Sequence, residues 1–190
     1  MKTTWIVLAV LLAVAAGGAG WVISVRNGLI AADEEVNDQW AQIDTQLQRR
    51  LDLIPNLVSA VKGYMAHEDK IFTGIAEARG KLLAAQGPAQ KAAAAADVTE
   101  SLGRLLAVAV NYPALRANEI FIRLQDELAG TENRIAVARG RYNKAVKAFN
   151  SRIRQFPGSL FAPGMGMEKR EYFEPPAGRA AAEKAPEVTF

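Results

Sequence analysis

FIRLQDELAGTENRIAVARGRYNKAVKAFNSRIRQF, residues 121–156, decides the fold. Every seventh residue reads Phe121, Leu128, Ile135, Tyr142, Phe149 and Phe156, and between them fall Leu124, Thr131, Ala138, Ala145 and Arg152. A 3-4-3-4 spacing held for about five heptads is the mark of one long helix with a seam on one side. Pro113 suits the first turn of that helix, where its missing N–H costs nothing, and Pro157 stands where it must stop. The pattern therefore predicts a continuous helix over 113–156.

A second seam precedes it. Val36, Trp40, Ile43, Leu47, Arg50, Ile54, Leu57, Val61 and Tyr64 alternate in steps of four and three. Pro55 removes one helical hydrogen bond in the middle, yet the apolar phase is unchanged across it, which predicts one helix bent there. His67-Glu68-Asp69 is a polar break. A short helix follows over 69–85, with Ile71, Ile75, Ala78 and Leu82 in phase. Residues 86–96, with Gly87-Pro88 and an alanine run, read as a loop that partly coils. A third helix spans about 97–110 on Val98, Leu102, Leu105 and Ala109, capped by Asp97 or Thr99.

The two long helices of about 40 residues each run ~60 Å, and the short ones about half that. The expected fold is all-α: an N-terminal transmembrane helix and an elongated antiparallel helical bundle, two long helices with two short ones at the distal end. In that register Trp40 meets Ala138, Arg50 lies opposite 128–131, and Phe156 sits beside 22–26. Leu115, Ile120 and Ile122 widen the apolar face at the distal end. The domains are an anchor over 1–26, a body over 27–157, a Gly/Pro/Met-rich membrane-proximal segment over 158–176 and a disordered tail over 177–190.

The anchor rests on an uncharged run over 3–25 with Trp5 and Trp21 near its ends. About 20 apolar residues cross a ~30 Å hydrocarbon core, and tryptophan favours both interfaces. A cleaved signal peptide, with Ala13-Val14-Ala15 as cleavage site, is the competing reading. The run continues through Val22 and Ile23, which a cleaved peptide does not need. Ala13, Ala16, Gly17 and Gly20 give small-xxx-small spacing. Lys2 and Arg26 flank the run on opposite sides; the body is placed outside the cytoplasm. Phe161, Met165, Met167, Tyr172 and Phe173 in the membrane-proximal segment either touch the bilayer interface or pack on the stalk.

Composition excludes several functions. The chain has no cysteine, so disulfides and thiol chemistry are out. Its net charge of +3 comes from interspersed charges that read as solvated helix faces, not as a nucleic-acid surface. His67 is the one histidine, too few for a bundle metal site or a zincin helix. Adjacent carboxylates such as Asp126-Glu127 point to different sides of a helix. No nucleophile–base set, phosphate loop or cofactor site is visible, and no catalysis is expected.

The polar residues that interrupt the seams carry more. Arg50, Thr131 and Arg152 hold core-type positions, where a polar group sets register or oligomeric state at some loss of stability. A cluster of Arg50, Asp52, Thr131, Glu132 and Asn133 is expected midway along the body; the alternative is that the arginine stems snorkel outward. Val146 and Ile153 broaden the apolar stripe near the membrane and form the candidate self-association face. Tyr64, His67, Phe72 and Tyr112 form the candidate distal partner face.

Those stretches together resemble the LemA family of bacterial membrane proteins. The likeness lies in Trp40-Ala41-Gln42-Ile43-Asp44, Gln46-Leu47, Arg49-Arg50, Asp52-Leu53-Ile54-Pro55-Asn56-Leu57-Val58, Val61-Lys62-Gly63-Tyr64 and His67-Glu68. It continues in Tyr112-Pro113, Leu115-Arg116-Ala117-Asn118, Leu124-Gln125, Glu127-Leu128, Thr131-Glu132-Asn133-Arg134-Ile135 and Ala138-Arg139. Tyr142-Asn143, Ile153-Arg154, Phe156-Pro157 and Tyr172-Phe173-Glu174 complete it. The resemblance implies a single N-terminal transmembrane helix and an antiparallel helical body, with no enzymatic activity to transfer. The alanine-rich loop at 92–96 and the tail after Pro175 depart from the family. The expected function is a membrane-anchored, non-enzymatic helical scaffold, self-associating at the cell envelope of a bacterium in the inner membrane. The alternative is an adaptor presenting its distal bundle to another envelope protein. The expected partners are the bilayer, further copies of the chain and a protein in the envelope; no cofactor and no nucleic acid are expected.

Overall fold

The computed structural model describes residues 2–174. Among them the chain is helical without a strand. Helix α1 runs over Lys2–Lys62, α2 over Asp69–Ala84, α3 over Gly87–Ala109, α4 over Pro113–Arg116, α5 over Glu119–Arg154 and α6 over Gly158–Phe161, followed by a 3₁₀ turn at Pro163–Met165. The all-α bundle expected from the two seams is what forms. The tail at 177–190 lies outside the described residues.

Helix α1 is a single 61-residue helix that continues through Pro55. Leu51, Ile54, Leu57 and Val61 are buried on both sides of that proline, so the seam holds its phase. Its last step does not. The helix ends at Lys62, and Met65 becomes fully buried while Tyr64 is left 40% exposed.

Two boundaries differ from the sequence reading. Helix α3 starts at Gly87 and not near residue 97, because the alanine run has the highest helix propensity of any composition and Pro88 fits a first turn. Ala92, Ala94, Ala95, Val98, Leu102, Leu105 and Ala109 are its buried residues. Asp97 and Thr99 are thus interior and cap nothing; Asp97 accepts from Lys81 Nζ at 3.0 Å. The last long helix is also broken, into α4 and α5. Asn118 causes the break: its Oδ1 accepts from the backbone N–H of Ile120 at 2.9 Å and of Phe121 at 3.0 Å, an N-cap that starts α5. The new start turns Ile120 and Ile122 outward, 56% and 43% exposed, so they do not widen the core face as expected.

The chain forms two compact units, each from separated stretches. Among the described residues the first comprises 2–39 and 144–170. There α1 and α5 lie antiparallel, as Trp21 meets Phe156 and Arg152 meets Gly28. Leu29, Val36, Ala145, Val146, Phe149 and Ala162 supply its core. Residues 3–20 of α1 are exposed along their whole length. This is the one helix among the described residues long and apolar enough to cross a membrane.

Among the described residues the second unit comprises 40–143 and 171–174. It packs α1, α2, α3 and α5 around Ile43, Leu47, Ile54, Leu57, Ile75, Leu105 and Leu115. Across it, α1 and α5 again run antiparallel: Trp40 meets Tyr142, Arg50 meets Glu132, and Tyr64 meets Asn118.

Candidate functional site

Among the described residues the second unit holds one charged group in its core. Arg50 occupies a seam position of α1 between Leu47 and Ile54, so helical spacing forces it inward, where it is 4% exposed. Its Nη1 donates to Glu132 Oε2 at 2.5 Å and to Thr99 Oγ1 at 3.0 Å. Thr99 in turn donates to Ala95 O at 3.0 Å. Burial pulls the guanidinium below its ordinary pKa, and the Glu132 carboxylate opposes that pull. The Arg50 Nε–H is buried without a hydrogen-bond partner. Arg50, Thr99, Glu100, Glu132, Arg139 and Phe173 line a cleft of about 330 Å³.

The expected cluster therefore has a different membership. Glu132 is the partner of Arg50, one residue past the expected 128–131. Asp52 is exposed and accepts from Gln48 at 2.8 Å. Thr131 is fully buried but bonds back to Leu128 O at 2.8 Å, satisfying itself within its own helix. Asn133 is exposed and lines a separate groove of about 460 Å³ with Gln42, Gln46, Arg134 and Arg141. Thr99, read as a cap, is the member that sequence missed.

The Arg50–Glu132 pair predicts an asymmetry. Glu132→Ala leaves a buried cation without its carboxylate and should cost about 2 kcal/mol, below the full penalty for a buried pair because Glu132 is 46% exposed. Arg50→Met fills the seam with an apolar chain of like length and should be close to neutral. Chemical denaturation of both variants checks this; an Arg50→Met loss as large as that of Glu132→Ala would mean that an apolar chain cannot replace the pair.

A second constellation involves the segment after the 3₁₀ turn, which is clasped and not loose. In the second unit Phe173 is 3% exposed and lies 6.0 Å, centroid to centroid, from the Trp40 ring, which also meets Tyr142 at 5.5 Å. The expected Trp40–Ala138 pairing thus lands one turn on, at Tyr142. Tyr142 Oη donates to Glu171 O at 2.8 Å. The Asn143 side chain brackets Phe173, accepting its N–H at 2.9 Å and donating to its carbonyl at 3.3 Å. The first unit repeats the device. Asn150 accepts Arg170 N–H at 2.8 Å and donates to Arg170 O at 2.9 Å, while the Arg170 guanidinium forks onto Asp33 at 2.8–3.0 Å. Of the two readings of this segment, packing on the helices describes Phe173. Asn143 and Asn150 escaped the sequence reading, though two asparagines a heptad apart inside a helix, where they are poor formers, are a signal.

The remaining expected residues fall as follows. Val146 is fully buried inside the first unit and Ile153 half-buried, so Val146 is not on a free face. Phe149 and Asn150 beside it close that part of the helix. Arg152 is exposed and donates to Gly28 O at 3.0 Å. Tyr64 Oη accepts from Asn118 Nδ2 at 3.2 Å, His67 is exposed on a turn, and Phe72 is half-buried. Tyr112 Oη donates to Glu68 at 3.2 Å. Partial burial and that carboxylate raise the Tyr112 phenol above its ordinary value. The neutral phenol therefore supports folding below about pH 10, and that support fades as pH climbs through the raised value.

Among the described residues no group of three His, Asp or Glu side chains is placed to hold a metal ion. The arrangement does what buried ion pairs and side-chain amide clasps do: it fixes register and ties down a peptide segment.

The family model described as LemA family matches residues 39–190. The Magnetosome protein MamQ 1 and MamQ 2 of Paramagnetospirillum magneticum are each 29% identical over 180 residues, covering 80% of this chain. The Magnetosome protein MamQ of Magnetospirillum gryphiswaldense is 28% identical over the same extent. The chain spans 66% of the length of each of these relatives. Neither the family's description nor the relatives' names denote an enzymatic activity.

Proposed function

We propose, starting from the fact that this chain belongs to the LemA family, that it is a membrane-anchored, non-enzymatic scaffold that self-associates at the bacterial envelope. The observation that carries this is the uncharged start of α1, exposed over residues 3–20 among the described residues. Lipid is the medium that satisfies such a surface. The same helix continues without a break from the apolar run to Lys62. Association is assigned to the membrane segment, not to Val146. A Cβ at Gly17 or Gly20, which share one face of the helix, meets nothing within 4 Å, so that face is open to a neighbouring copy. In this reading the anchor spans the inner membrane and the body lies outside the cytoplasm.

A second reading, an adaptor for another envelope protein, draws on the turns of the second unit. Tyr64 and Ile120, on either side of Asn118, and Val110 are 40–58% exposed there.

The test uses intact membranes. The protein should resist alkaline extraction, and a single cysteine replacing Gly17 should cross-link copies to each other. Resistance to extraction without any cross-link would remove self-association and leave the anchor; full extraction would remove both.

A further inference from the structure

We propose that residues 156–161 form a second membrane contact, an aromatic foot that enters the bilayer surface beside the end of the apolar run. This rests on the anchor reading above. In the first unit Phe156 is 77% exposed and Leu160 is 67% exposed. Both stand out from a unit that buries Phe149 and Val146 almost completely. They do not stand alone. The Phe156 ring lies 6.3 Å from that of Trp21, and the Phe161 ring meets the same indole edge-on at 6.1 Å. Trp21 is itself 47% exposed and Ile23 58%. The result is one apolar patch continuous with the exposed start of α1.

Depth argues for lipid as the occupant. From Thr3 to Trp21 the helix climbs ~27 Å, close to the ~30 Å of a hydrocarbon core. Trp21 then falls at an interface, the level tryptophan prefers, and rings in contact with it share that level. Gly28 lies two turns further, ~10 Å into the headgroup layer. Arg152 donates to the Gly28 carbonyl at 3.0 Å, which stations a guanidinium at headgroup depth with N–H groups left for phosphate. An aromatic and aliphatic tip backed by an arginine is the composition of a surface that sits in a membrane interface.

The foot is also held rigidly. Gly158 opens α6 against the backbone of Arg152 and the side chain of Leu29, so the turn that carries Phe156 and Leu160 has a fixed seat on the α1–α5 pair. A seated turn presents its apolar residues in one direction without the entropy cost of ordering a loose loop at the membrane.

The natural absence of cysteine makes the test direct. Leu160→Cys, Leu12→Cys and Leu83→Cys, each in the full chain, carry a nitroxide label. The proteins are reconstituted into phosphatidylethanolamine–phosphatidylglycerol vesicles, and collisions with oxygen and with a water-soluble nickel chelate are compared. The Leu12 label should favour oxygen strongly, the Leu83 label the chelate, and the Leu160 label oxygen, at a shallower depth than Leu12. Adding Phe156→Ser should shift the Leu160 label toward the chelate. A Leu160 label that matches Leu83, with Leu12 still buried, overturns the foot and spares the anchor. A Leu160 label shielded from both reagents overturns it in favour of a protein cover. Leu12 in water would remove the anchor and the foot together.

Discussion

Gly158→Ala should destabilise the first unit by about 3 kcal/mol, at the upper end of what overpacking costs. A Cβ at this position would lie 2.1 Å from the Arg152 carbonyl oxygen, 3.1 Å from its carbon and 3.3 Å from Leu29 Cδ2. The first two are backbone atoms in the last turn of α5, so no rotamer change relieves them. Either α6 lifts away or the end of α5 frays, and both loosen the contact between Phe156 and Trp21. The control is Gly140, an exposed interior position of α5 where a Cβ meets nothing within 4 Å. Gly140→Ala should stabilise by up to about 1 kcal/mol through helix propensity alone. Thermal melts followed by near-ultraviolet circular dichroism should therefore move in opposite directions for the two variants. A Gly158→Ala protein that melts with the parent would mean the close approach is absent in solution.

The heptads made the fold legible because packing had to follow them. In α1 every seam residue from Ile43 to Val61 is buried, Arg50 included, since a residue at a core position in a bundle has nowhere else to point. In α5 the seam holds from Phe121 to Phe149 and then fails: Arg152 and Phe156 are exposed. Phe156 lies past the end of α5 at Arg154, and Arg152, still inside it, turns its guanidinium to the Gly28 carbonyl. The helix starts were less legible. Pro113 begins only a four-residue turn, and Asn118, quoted for its place in a family motif, is the cap that starts the long helix. Propensity also overrode the Gly87-Pro88 signal, which reads as a loop but works as a first turn when six of the next eight residues are alanine.

The polar contacts were legible in part, for a physical reason. Arg50 announces itself by breaking an apolar seam. Its partners do not, because Glu132 and Thr99 are ordinary residues on helix flanks whose meeting depends on how three helices rotate about their axes. The Asn143 and Asn150 clasps were hidden further still. Their targets are backbone groups of Phe173 and Arg170, and main chain carries no signature in sequence. The patterns of Tyr172-Phe173-Glu174 gave the aromatic and not its pocket.

Phe173→Ala should release residues 171–174 from the second unit while leaving its helices folded. The segment's docking is a near balance. Fixing four residues costs about 4–6 kcal/mol of backbone entropy. Burying the Phe173 ring returns about 2–3 kcal/mol, and the hydrogen bonds from Tyr142 and Asn143 about 1 kcal/mol each. With the ring those terms roughly cancel or favour docking; without it the hydrogen bonds alone lose to the entropy. A buried phenylalanine truncation costs 3–5 kcal/mol when the whole fold must bear it. Here the segment can let go first, so the loss to the global melt is capped at the docking energy. The effect should appear locally, as chymotrypsin cleavage after Tyr172 that speeds up severalfold, since a segment docked by about 1 kcal/mol already opens a sizeable fraction of the time and its open population can rise only until it is always open. Trp40 should become more accessible to acrylamide as its 6.0 Å ring partner departs. Asn143→Ala, which keeps the ring and removes only the bracket, should give the same change at smaller size. If Phe173→Ala instead lowers the global melt by its full core cost and leaves Tyr172 protected, then the segment is a structural member of the bundle and not a clasped strap.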